Sequence, residues 1–184
     1  TVLIGGASAA EGNDIAGFQD GIDIANISDS TFTVSNNTRI VGTTGDGLEF
    51  EGTITGNSAI NIVDNTLIQG ADNGVSFLQA ITSSTATITG NAATQGTAGD
   101  GISFGGAING DTNVNIADNQ IGTATTRTGV DGIAFEGGIL GTSTVTIGGT
   151  NQIFATNRAI NVDDLQSPST LSITGGTYDG TGGA

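Results

Sequence analysis

A chain of 184 residues with three basic side chains against 18 acidic ones, a net charge of −15, lacks the clustered Lys and Arg that phosphate backbones require. Nucleic acid and anionic membrane surfaces are therefore excluded as partners. The absence of Cys excludes a disulfide framework or a thiolate metal site, and no apolar run reaches the ~18 residues of a membrane span, which excludes membrane insertion. What remains is Ile, Val, Thr and Asn punctuated by 32 Gly, a composition that predicts short strands joined by tight turns.

Val2 and Ile4 form an alternating apolar pair, and residues 1–19 read as a partial first coil. From Asp20 a unit recurs. Its opening segments are Asp20-Gly-Ile-Asp-Ile, Asp46-Gly-Leu-Glu-Phe, Asn73-Gly-Val-Ser-Phe, Asp100-Gly-Ile-Ser-Phe, Asp131-Gly-Ile-Ala-Phe and Arg158-Ala-Ile-Asn-Val, at spacings of 26, 27, 27, 31 and 27. Within each unit an apolar pair (Ile22/Ile24 in the first) precedes a single apolar site: Ile27, Ile54, Ile81, Ile108, Ile139 and Leu165. A second pair follows: Phe32/Val34, Ile60/Ile62, Ala86/Ile88, Val114/Ile116, Val145/Ile147 and Leu171/Ile173. Next stands an asparagine (Asn37, Asn65, Asn91, Asn119, Asn151), and the unit closes on Ile40, Leu67, Ala93, Ile121 and Ile153. The ladder slot of the last unit holds Gly176, and residues 177–184 read as a tail.

Alternation by two turns one face inward and the other outward. A lone unit cannot bury its inner face, whereas stacked units pair each strand with its equivalent and align like side chains in columns. The sequence thus predicts one all-β domain over 1–184. It is a parallel β-helix of about six coils, with three strands per coil and regular over 20–176. The asparagines mark a sharp bend that needs a left-handed residue, and their stacked amides form an internal ladder. The four extra residues between Ile121 and Asp131 predict a protruding loop containing Arg127.

This pattern of alternating segments and asparagines resembles the pectin-lyase-like right-handed parallel β-helices, with the Val-x-Ile pair as second strand. The resemblance implies that right-handed fold over essentially the whole chain. It points to no single activity, because the family spans polysaccharide lyases and hydrolases, tailspikes, autotransporter passengers and bacterial surface adhesins. In its lyases the resemblance implies an Arg base with calcium-binding carboxylates, and in its polygalacturonases several Asp with His and Lys. The chain has neither His nor Lys, so the hydrolase set cannot be assembled; Arg158 near Asp163 and Asp164, and the carboxylate pair Glu49/Glu51 at i and i+2 on one strand, are the remaining candidates.

The outward positions of the first strand carry Asp23, Glu49 and Glu51, the best candidates for weakly bound calcium and the only cofactor the sequence suggests. The composition and pattern favour a non-catalytic, extracellular structural or adhesive rod. It is expected to be a mature product or a fragment of a longer exported chain. Its partners would be copies of itself stacked head to tail, neighbouring coils of a longer chain, or surface glycans. A polysaccharide-binding or polysaccharide-cleaving β-helix is the alternative.

Overall fold

In the computed structural model, which describes residues 1–182, the chain is a parallel β-solenoid whose strands pair only with their equivalents in neighbouring coils. It makes seven turns rather than six, with four sheets rather than three strands per coil. The first sheet has seven strands: Val2–Gly5, Thr31–Ser35, Ala59–Val63, Thr85–Thr89, Asn113–Ala117, Thr144–Gly148 and Thr170–Ile173. The second also has seven: Asp14–Gly17, Arg39–Gly42, Ile68–Gly70, Thr94–Gly96, Gln120–Ile121, Gln152–Ala155 and Thr177–Gly180. The third has six, from Ile22–Ile24 to Ile160–Val162. The extra turn comes from the two ends. Residues 1–19 already supply a strand to each of two sheets. The expected tail supplies Thr177–Gly180, paired with Gln152–Ala155, while residues 183 and 184 lie outside the described residues.

The fourth sheet grows from the single apolar site of each unit. Ile27, Ile54, Ile81 and Ile108 each anchor a two-residue strand, and bridges at Ile139 and Leu165 continue the stack. A bend of two or three residues after each third-sheet strand turns these residues out of that sheet, so they cannot prolong it.

The interior consists of stacked columns. Phe50, Phe77, Phe104 and Phe135 lie ring on ring, with centroids 4.6, 4.8 and 5.0 Å apart and planes within 7° of parallel. Phe32 closes the stack edge-on at 6.0 Å. Each ring is fully buried, so truncating one to Ala removes about 3–5 kcal/mol. The closing column differs from the expected one at two places: Ile68 and Thr94, not Leu67 and Ala93, stack on Ile40 and Ile121. The bends after Asn65 and Asn91 hold one more residue than those after Asn119 and Asn151, and that residue stays half-buried at the corner.

The asparagine ladder is continuous. Asn65 donates its backbone N–H (3.1 Å) and its Nδ2 (3.0 Å) to Oδ1 of Asn91, and Nδ2 also donates to the Val34 carbonyl at 3.0 Å. Its own Oδ1 accepts the backbone N–H and Nδ2 of Asn37 at 3.0 and 2.9 Å. The same bonds link Asn91 to Asn119 and Asn119 to Asn151, and Asn13 extends the ladder one rung beyond the sequence prediction. The left-handed residue is not the ladder asparagine but its predecessor: Asn36 (φ 57°), Asp64 (55°), Gly90 (68°) and Asp118 (58°).

The inserted segment is the remaining difference. Pairing with Gln152–Ala155 is interrupted after Ile121 and resumes at Thr128, which is buried and bridges Ala155. The excursion therefore lies within 122–127, and its last residue folds back. Arg127 pairs with Asp179 at 2.7 Å and lies 5.8 Å from the Phe154 ring centroid.

Asn65→Ala leaves the Asn37 donors and the Val34 carbonyl without partners inside the wall. It should lower stability by about 1–3 kcal/mol in urea denaturation, whereas Asn61→Ala on the outward face should change it by under ~0.5 kcal/mol. Equal midpoints for the two variants would remove the ladder from any stabilising role.

Candidate functional site

The third sheet carries the chemistry-bearing residues. Its register places Asp23 beside Glu49, then Ser76, Ser103, Ala134 and Asn161 in one outward column. The next column runs Ala25, Glu51, Leu78, Gly105, Glu136 and Asp163, each successive N–H bonded to the coil before. The sequence-predicted set Asp23, Glu49 and Glu51 thus shares one end of one face. Among the described residues, however, no three carboxylates form a group able to hold a metal ion.

A feature the sequence did not reveal lies at the corner that leads into this sheet. The opening residues of the repeat form a second ladder. Asp46 donates its backbone N–H to Oδ1 of Asp20 at 2.7 Å, Asn73 to Asp46 at 2.7 Å, Asp100 to Asn73 at 2.8 Å and Asp131 to Asp100 at 2.8 Å. Arg158 ends the series: its N–H reaches Asp131 Oδ1 at 2.8 Å and its guanidinium lies 3.4 Å from Oδ2. That places Arg158 as the cap of an acid ladder, not in a constellation with Asp163 and Asp164. The signal was present in the Asp-Gly series, but an Asp before Gly is also ordinary turn chemistry.

Asp46, Asp100 and Asp131 are only 4, 6 and 3 % exposed. Burial pushes the Asp100 carboxyl up to about 6, with the charges of Asp131, Glu136 and Asp72 adding to it and the Asp131 N–H opposing. Burial likewise raises Asp46 against the Asn73 N–H. Glu49 is pushed up to about 7 by burial, then by Asp20, Asp46, Asp23 and Glu51. One face of the rod thus holds carboxyls that take up protons well above the usual carboxylate range.

No family model, curated protein or solved structure matches this chain. The resemblance to pectin-lyase-like proteins therefore rests on the coil pattern and the asparagine ladder.

A carboxyl whose folded pKa exceeds its unfolded value contributes stability below the unfolded pKa, near 4, and loses it as pH rises through the folded value. For Glu49 and Asp100 that window runs from about 4 to about 7. The solenoid should therefore melt at a higher temperature at pH 5 than at pH 8. Asp100→Asn keeps the Oδ1 acceptor, as Asn73 already does in the same ladder, and removes the buried charge. It should gain on the order of 1–2 kcal/mol at pH 8, after allowance for partial screening, and flatten the pH profile. Calorimetry showing a melting temperature that climbs from pH 5 to pH 8 would contradict this account.

Proposed function

We propose that this chain is a non-catalytic structural and adhesive rod of the cell exterior that extends by axial stacking. One observation carries this reading. Among the described residues all strand edges lie at the two ends of the rod, and no other element covers them. At one end Val2 and Leu3 are exposed, and at the other Leu165 and Ile173 are. Free edges over an apolar interior are adhesive, and a solenoid offers them nowhere else.

The register specifies the joint. Val2, Leu3 and Ile4 pair with Phe32, Thr33 and Val34, and Val145, Thr146 and Ile147 pair with Leu171, Ser172 and Ile173. A second rod continuing the first sheet therefore sets Val2 on Leu171 and Leu3 on Ser172. The second sheet continues likewise, with Asp14–Gly17 on Thr177–Gly180. In the third sheet, Ile22–Ile24 of the upper rod then stands two spacings above Ile160–Val162, leaving one rung open. The first two sheets carry the contact. Top-to-bottom contacts of this kind propagate instead of closing into rings. The net charge of −15 opposes them, so salt that screens the charge should strengthen association. Coils of the same chain, or copies of it, would meet these edges in the same way.

The chain has no cysteine, so a paired substitution reports on the joint cleanly. Leu3 and Ser172 occupy the outward positions of the first and last strands of the first sheet, six spacings or about 29 Å apart within one molecule. A disulfide needs Cα atoms within about 7 Å, so the pair cannot close internally. The Leu3→Cys/Ser172→Cys protein should form a ladder of linear oligomers on mild oxidation, strengthened by salt, while each single variant stops at the dimer. Monomer alone at high salt would rule out axial stacking of copies.

A further inference from the structure

We propose, resting on the axial stacking argued above, that residues 1–19 are a displaceable half coil whose place is taken by residues 170–180 of a second copy. The first two sheets have seven strands each, whereas the third has six and the fourth six stacked sites. That surplus half coil is what leaves a rung open when two rods meet. With residues 1–19 lifted off the upper rod, every sheet counts six, and the joint closes in all four. The gapped joint is the first contact, and exchange then closes it.

The pairings inside each molecule fix the register of the closed joint. Val2 stands on Phe32 and Ile15 on Ile40, and at the other end Leu171 and Tyr178 stand at the same inward positions on Val145 and Ile153. Leu171 and Tyr178 of one copy thus replace Val2 and Ile15 of the next against Phe32 and Ile40. Ile160, Val162 and Leu165 then land on Ile22, Ile24 and Ile27, whose outer edges have no strand beside them in the single rod.

Two observations fit these landings. A hollow of about 320 Å³ lies open at the first coil, with Val2, Ile24, Ile27 and Phe32 as its apolar lining. Leu165, 48 % exposed at the far end, is the residue that the register sets on Ile27. Charge is also complementary, because Arg158 shares the register position of Asp131 and so meets Asp20, the first acid of the corner ladder. The three arginines of a single copy pair with other acids. Asp163 lands on Ala25, close to Asp23 and Glu51, so exchange should strengthen with salt.

Exchange replaces one set of strand pairs in the first two sheets by an equivalent set. In the third and fourth it adds pairs that the gapped joint lacks, and it returns chain entropy to residues 1–19. The first half coil yields because it is the irregular one. Residues 6–13 join Val2–Gly5 to Asp14–Gly17, where residues 36–38 suffice in the next coil. The last half coil is clamped instead: the Arg127 guanidinium donates to the Asp179 carboxylate at 2.7 Å and to its carbonyl at 3.0 Å.

Cysteine pairs distinguish the two joints. Thr33 and Ser172 are outward residues of the first sheet, five spacings or about 24 Å apart in one molecule. They stand two spacings apart, about 10 Å, across the gapped joint, beyond the reach of a disulfide, and are adjacent after exchange. Thr33→Cys/Ser172→Cys protein assembled at high salt and then oxidised should therefore give linear oligomers. Hydrogen exchange on the unsubstituted protein reads the same event without thiols. On assembly, amides in Val2–Gly5 and Asp14–Gly17 should lose protection while those in Ile22–Ile24 and Ile160–Val162 gain it. Oligomers from Leu3→Cys/Ser172→Cys alone, with protection rising at Val2–Gly5, would overturn the exchange and leave stacking intact. No link from either pair, and no change in amide protection at high salt, would remove both.

Discussion

Everything in this structure depends on satisfying the backbone where the chain turns a corner. Between corners, strands pair with the coils above and below and no group is left over. At a corner the main chain leaves the ladder, and its N–H groups point into a wall that water does not reach. The protein answers with side-chain oxygens stacked at the coil spacing, one series at each of three corners. Asparagine Oδ1 atoms serve the bend between the first and second sheets, and carboxylates serve the bend between the second and third. Hydroxyls serve the bend into the first sheet, where Ser30, Ser58 and Ser84 donate their N–H groups to Ser58, Ser84 and Thr112 in turn. The first and third series run in one direction, each coil donating to the next. The carboxylate series runs the other way.

The carboxylate series is the costly one, because a stack of buried anions must be desolvated and held apart. Two features of the sequence limit that cost. Asn73 stands in the middle of the series with the same bonds and no charge, separating Asp46 from Asp100. Arg158 ends it with a cation over Asp131, the one position where all later coils lack an acid. Raised proton affinity at Asp46 and Asp100 is what remains of the strain, and it makes this the pH-responsive side of the rod.

What the sequence made legible was whatever repeats at fixed spacing and differs from its neighbours in polarity. The apolar pairs and the asparagines meet both conditions, which is why the stack, the ladder from Asn37 to Asn151 and the outward acidic column could be read directly. Asn13 lies before the first Asp-Gly opening, outside the repeat that defines the column. Leu67 and Ala93 were misplaced because corner length varies by one residue, and at period two a one-residue slip exchanges inside for outside. The hydroxyl ladder was hidden because Ser and Thr also fill the solvent face. Nor could alternation show that Ser76 and Ser103 are sunken, since it fixes which way a side chain points and not how high the neighbouring turns rise.

The arrangement of charge over this frame bears on how such rods meet. The outward column of the first sheet runs Thr33, Asn61, Thr87, Asn115, Thr146 and Ser172, uncharged throughout, while the third sheet and its entry corner hold much of the acid. Side by side, two rods offer each other no free strand edge, only finished hydrogen-bonded walls and, on one face, like charge. End to end, they offer edges, apolar columns in register and two half-finished polar ladders. Asn13 Oδ1 receives no donor from a preceding rung, and Asn151 meets glycine where the next amide would stand. On the stacking reading proposed above, lateral contact is opposed by the same walls that make each coil stable, and association would follow the axis along which the coils already stack.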